Sequence, residues 1–163
     1  MIEPLKDESR GRPIGPVPSP PARELQELWL ALSRRGWRSV VLVPADGRGS
    51  AAGPATGLAE VGRRLRLAPV GLSVAETLDY GAAAELVRRV AALAQPHAGA
   101  GPFAPDQLVV SIPAVLLQPL GVAVAREADA VVVCVELGRS SVAGTRRTIE
   151  LIGRDRVAGC LLM

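Results

Sequence analysis

The chain has 163 residues, 48% of them hydrophobic and 2% aromatic, with 19 basic against 16 acidic side chains for a net charge of +3. That length predicts one domain with a real core, and the absence of any apolar run near the roughly 18 residues of a membrane helix argues against a bilayer span. The polar start from Met1 to Arg10 does not read as a signal peptide, so a cytoplasmic protein is expected.

Residues 1–21 contain Pro4, Pro13, Pro16, Pro18, Pro20 and Pro21, and read as an extended, flexible tail. The folded domain is expected over 22–163. It opens with a helix near Ala22, in which Leu25, Leu28, Trp29 and Leu32 recur on one face and Gly36 ends the element.

The first strand is predicted at Ser39 to Val43, followed by the turn Ala45-Asp46-Gly47-Arg48-Gly49-Ser50. The helix after it should occupy Ala51 to Leu67, but Gly53, Pro54 and Gly57 weaken its start, leaving Leu58 to Leu65 as its core. A strand is placed within Arg66 to Val74. The stretch Gly81 to Ala94 reads as a helix with Ala83, Leu86, Val87, Val90 and Ala94 inward. His97 falls in a Gly- and Pro-rich loop with no nucleophile or carboxylate at a catalytic spacing, so an exposed loop histidine is expected.

Further strands are predicted at Gln107 to Ile112, Ala130 to Leu137 and Val157 to Leu162, with a helix at Val142 to Ile152 that turns Val142, Ile149 and Ile152 inward. The strands are continuous apolar runs, as in a parallel sheet with both faces covered. The alternation predicts an α/β three-layer sandwich with a mostly parallel sheet and a site at the strand C-termini. Cys134 and Cys160 fall inside such runs and are expected to be buried free thiols.

The basic residues are almost all arginine. Pairs such as Arg34-Arg35, Arg63-Arg64, Arg88-Arg89 and Arg146-Arg147 are scattered over separate elements without interleaved aromatics, so solvated helix faces are expected and nucleic-acid binding is not.

The segment Val40 to Ala52 has the frame of a phosphate-binding loop, in which backbone N–H groups cradle phosphates, a lysine neutralises charge and a hydroxyl holds Mg²⁺. Taken with Ser19-Pro20-Pro21 and its helix, Asp106 to Ala114, Ala125 to Val135 and Val157 to Met163, it resembles the cytoplasmic domain of bacterial tyrosine autokinases that control capsule and exopolysaccharide synthesis. Those belong to the deviant-Walker P-loop group that also holds MinD- and ParA-like ATPases. The resemblance implies a P-loop NTPase-like fold, with Gly47, Arg48, Gly49 and Ser50 as a vestigial Walker A loop and Ser111 as a vestigial Walker B position.

The departures are specific. Ser50 stands at the lysine position, Ala51 and Ala52 at the hydroxyl positions and Ser111 at the Walker B aspartate. Arg48, between the two glycines, is expected to project away from the cradle. Arg23, Gln26 and Trp29 replace the ring-forming Glu and Arg residues of the entry helix. Tyr80 is the sole tyrosine, so the tail of phosphorylated tyrosines is missing.

Phosphoryl transfer depends on charge neutralisation and a positioned metal, so no catalytic residue, no resident cofactor and no metal are expected, with ATP and Mg²⁺ relevant only if the vestigial loop still binds. The implied role is a non-catalytic, pseudokinase-like scaffold or regulatory subunit in exopolysaccharide biosynthesis or export. Its expected partner is a membrane polysaccharide co-polymerase or another export-complex protein, met at the inner face of the cytoplasmic membrane. The alternatives are a nucleotide-binding ATPase or autokinase with an atypical site, and a MinD/ParA-like adaptor with another partner.

Overall fold

A computed structural model describes residues 22–66, 69–94 and 105–163. The expected N-terminal tail and His97 lie outside the described residues. The elements alternate: α1 (Arg23–Ser33), β1 (Ser39–Pro44), α2 (Ala52–Arg66), β2 (Val70–Val74), α3 (Tyr80–Ala94), β3 (Gln107–Ser111), α4 (Gly121–Glu127), β4 (Ala130–Val135), α5 (Val142–Ile152) and β5 (Val157–Leu162).

The five strands form one sheet in the order β2-β3-β1-β4-β5, and every pairing is parallel. The expected three-layer α/β sandwich is therefore present, with a wholly parallel sheet. Alternate residues of the central strands feed two cores. Val41, Val43, Val110, Val131 and Val133 pack with α3, α4 and α5 on one face, while Val40, Leu42, Val109, Val132 and Cys134 pack with α1 and α2 on the other. A strand buried on both sides must be apolar at every position, which is why β1, β3 and β4 read as unbroken hydrophobic runs.

The amphipathic pattern of α1 places Trp29 and Leu32 in the core, with Leu25 and Leu28 half-buried at its margin. Gly36 follows with φ +67°, a left-handed conformation that frees the chain to turn into β1. The Trp29 ring meets Trp37 edge-on, with centroids 5.1 Å apart and planes at 80°, and it lies against Gly62 of α2, where a Cβ would run into the ring. Glycine at this position lets α1 seat on α2.

Several sequence expectations are corrected. Helix α2 starts at Ala52 and runs through Gly53, Pro54 and Gly57. Pro54 falls in the first turn, where its missing N–H has no intrahelical acceptor to lose, and the ladder begins with Ala55 N–H on Ala51 O at 3.0 Å. Ala94 and Val142 were expected inward and are exposed, because each lies at the end of its helix, beyond the sheet. Cys160 is exposed rather than buried, since β5 is an edge strand with one face open; Cys134, on the interior strand β4, is buried as expected. Both thiols are free. Helix α4 has no counterpart in the sequence reading.

No described helix is long and apolar enough to cross a membrane.

Candidate functional site

Helix α2 leaves β1 toward one face of the sheet, and α4 leaves β3 toward the other. These two strands are neighbours, with Leu42 opposite Ser111, so a crevice opens between their C-terminal ends. This is the topological switch point at which parallel α/β sheets bind ligands. The structure brings the two segments singled out in the sequence to this one place. Gly47, Gly49 and Ser50 from the first loop and Ser111 from the end of β3 line a cavity of about 280 Å³, together with Pro113, Leu117 and Gln118.

The loop is held by two carboxylates of the chain itself. Asp46, only 6% exposed, accepts from Arg48 N–H on Oδ1 at 3.0 Å and from Ser141 N–H on Oδ2 at 2.8 Å. The backbone N–H of Ser141, then that of Arg48, holds this carboxyl below the usual carboxylate range. Glu136, just beyond β4, accepts from Ser50 N–H on Oε1 at 3.3 Å, and a Cβ on Gly49 would stand 3.0 Å from the same oxygen. The same carboxylate pairs with Arg139 at 2.8 Å and is steadied by Ser140, whose hydroxyl accepts from Glu136 N–H at 3.0 Å.

Other contacts close the site further. The Ser50 hydroxyl accepts from Ala52 N–H at 3.3 Å, at the entry to α2. Leu117 covers Gly47, where a Cβ would stand 2.9 Å from its Cδ1. Behind the loop, the buried Thr148 hydroxyl donates to Ala45 O at 2.8 Å and ties it to α5.

Among the described residues no arginine, lysine or histidine lines the cavity. Its one charged lining residue is Glu76, just past β2. Arg48 is exposed and is not among the residues that line the cavity.

Mg²⁺-ATP, the ligand that the resemblance implies, does not fit these residues. The N–H of Ser50 faces a carboxylate, no cation among the described residues lines the cavity to balance phosphate charge, and Ser111 offers a hydroxyl where metal binding uses a carboxylate. Among the described residues no group of three or more His, Cys, Asp or Glu side chains is arranged to hold a metal ion.

No family model matches the chain, and no curated protein does.

Sequence reasoning found the loop and Ser111 but missed Asp46, Glu136, Glu76 and Leu117 as parts of the site. Asp46 carried a usable local signal, because an Asp two residues before an N–H in a Gly-rich turn is the pattern of an Asx turn. Glu136 carried none, since its approach to Ser50 depends on β1 and β4 being neighbours in the sheet.

Proposed function

We propose that this protein is a non-catalytic scaffold or regulatory subunit of the tyrosine-autokinase type, acting in exopolysaccharide biosynthesis or export. The pathway comes from the order of resembling segments along the chain. The absence of catalysis is supported above all by the Glu136 carboxylate, itself paired with Arg139, which already accepts the Ser50 N–H that a phosphate would need.

The proposed partner is a membrane polysaccharide co-polymerase or another protein of the export complex, and the proposed location is the inner face of the cytoplasmic membrane. The loops after β1, β3 and β4 all emerge at the C-terminal end of the sheet, so a partner reaching one of them reaches all three. Nucleic acid is not a proposed ligand.

The test joins biochemistry to genetics. Purified protein titrated with Mg²⁺-ATP in a calorimeter should give no binding heat and no phosphate release. Deletion of the gene should reduce or alter exopolysaccharide, while Ser50→Ala and Ser111→Ala strains should match wild type. Magnesium-dependent turnover lost in Ser50→Ala would instead favour the atypical ATPase reading. Normal polysaccharide in the deletion strain would favour an adaptor with a different partner.

A further inference from the structure

Helix α5 buries Thr148 and Ile152 in the domain and leaves a second stripe partly open. Val142, Thr145 and Ile149 recur along that stripe at helical spacing and, with Val135 of β4, line a groove of about 500 Å³. Val142, the first residue of α5, is 86% exposed. The hydroxyls at the groove are engaged within the chain: Ser140 accepts from Glu136 N–H at 3.0 Å, and Thr145 donates to Ser141 O at 2.8 Å. The Val135 carbonyl likewise accepts from Met163 N–H at 2.9 Å.

The charge lining this groove is of one sign. Arg146 and Arg154 contribute to it, and no acidic side chain does among the described residues. Arg146 shares the Glu150 carboxylate with Arg147, at 3.1 and 3.5 Å, so one negative charge faces two positive ones. Arg154 lies past the C-terminal end of α5, and its guanidinium has no hydrogen-bond or ion-pair partner among the described residues.

We propose that this groove docks an acidic amphipathic helix of a partner protein, laid along α5 with its apolar stripe on Val142, Thr145 and Ile149 and its carboxylates on Arg146 and Arg154. Charge complementarity makes the occupant acidic. The engaged hydroxyls and carbonyl make it helical, because an extended peptide would lose water from its backbone and find no replacement, whereas a helix arrives with its N–H and C=O groups already paired. The two guanidiniums stand at separate points along the groove, one within α5 and one beyond it, which suits carboxylates on different turns of a helix. A single anionic headgroup would serve only one of them. This deepens the scaffold reading and rests on it for the existence of a protein partner; the test below reads docking alone, without polysaccharide, so either can fail without the other.

A displayed library of helical peptides is panned against the full chain, and the enriched peptides are synthesised and titrated by fluorescence anisotropy. They should be acidic, with apolar residues recurring at helical spacing. Val142→Asp, and Arg146→Glu combined with Arg154→Glu, should each weaken binding about tenfold or more. These side chains are exposed, so the thermal transition should stay in place. Exchanging the peptide's glutamates for lysines should abolish binding to the wild-type chain and restore it to the charge-reversed one. Enrichment of no acidic helix overturns the proposal, as do enriched helices that bind the variants as tightly as wild type. Binding of the wild-type chain to phosphatidylglycerol vesicles, lost in the Arg146 and Arg154 double variant while no peptide is enriched, would also overturn it and assign the groove to a membrane surface.

Discussion

Asp46 and Ser141 are 95 positions apart, yet the Asp46 carboxylate accepts the Ser141 N–H at 2.8 Å just where Ser141 caps helix α5 through its own hydroxyl on Gly144 N–H at 3.0 Å. A second oxygen of the same carboxylate holds Arg48 N–H. The loop after β1 and the start of α5 are thereby one hydrogen-bonded unit. Gly144 belongs to it, because a Cβ there would come within 2.7 Å of Asp46 Cβ.

This linkage makes stability depend on acid. The folded-state pKa of Asp46 is depressed, so its contribution is complete above the unfolded value of about 3.9 and fades as pH falls through the lower folded value. Asp46→Asn keeps the size but must turn its amide toward one of the two N–H donors, and it should lose about 1–3 kcal/mol at neutral pH. Urea titrations at pH 7 and near the acid limb should show the gap between variant and wild type closing at low pH. A constant gap would mean that charge is not the cause.

The seat of α1 on α2 depends on the contact between Trp29 and Gly62. Trp29→Ala should cost about 3–5 kcal/mol. Gly62→Ala should cost about 1–3 kcal/mol by overpacking, although alanine is the better helix former. Leu28→Asp, on the half-buried margin, should cost less than Trp29→Ala. Thermal melts of the three variants rank them, and an unchanged melting temperature in Trp29→Ala would show that α1 does not rest on the domain.

The two cysteines should differ sharply in reactivity. Burial pushes the Cys134 thiol up to about 12, and the residue is 1% exposed, whereas Cys160 is open to solvent. A disulfide reagent should label one thiol at once in the native protein and the second only at the rate of unfolding. Two fast equivalents would contradict the placement of Cys134 between the sheet and the α1–α2 layer.

A lysine in the loop after β1 should not by itself bring phosphoryl-transfer chemistry. Ser50→Lys supplies a cation, and Glu136→Ala clears the carboxylate from the cradle, yet Ser111 still provides no acidic metal ligand. The double variant should release no phosphate from Mg²⁺-ATP. Adding Ser111→Asp is the step at which nucleotide binding, followed by fluorescence of an ATP analogue, should first appear.

The legible parts of the fold were those governed by local periodicity. Val40 to Val43, Val109 to Val110 and Val131 to Cys134 announced interior parallel strands because both faces of such a strand need apolar side chains. The period of Leu25, Leu28, Trp29 and Leu32 announced α1, and the glycines at 47 and 49 announced the turn after β1. Cys160 was misplaced for the same reason that Cys134 was placed correctly: an edge strand with an apolar sequence looks like an interior one until its neighbours are known.

The sequence alone determined the alternation of helices and strands and the apolar cores, because these are written in the identity and spacing of single residues. Tertiary structure decided which strand lay beside which, and so brought Ser111 beside the loop after β1, the Glu136 carboxylate to Ser50 N–H, and Asp46 to α5. It also brought the Arg63 guanidinium onto the Val70 carbonyl of β2. Those relationships join residues dozens of positions apart, and only the packing of the sheet sets the distances between them.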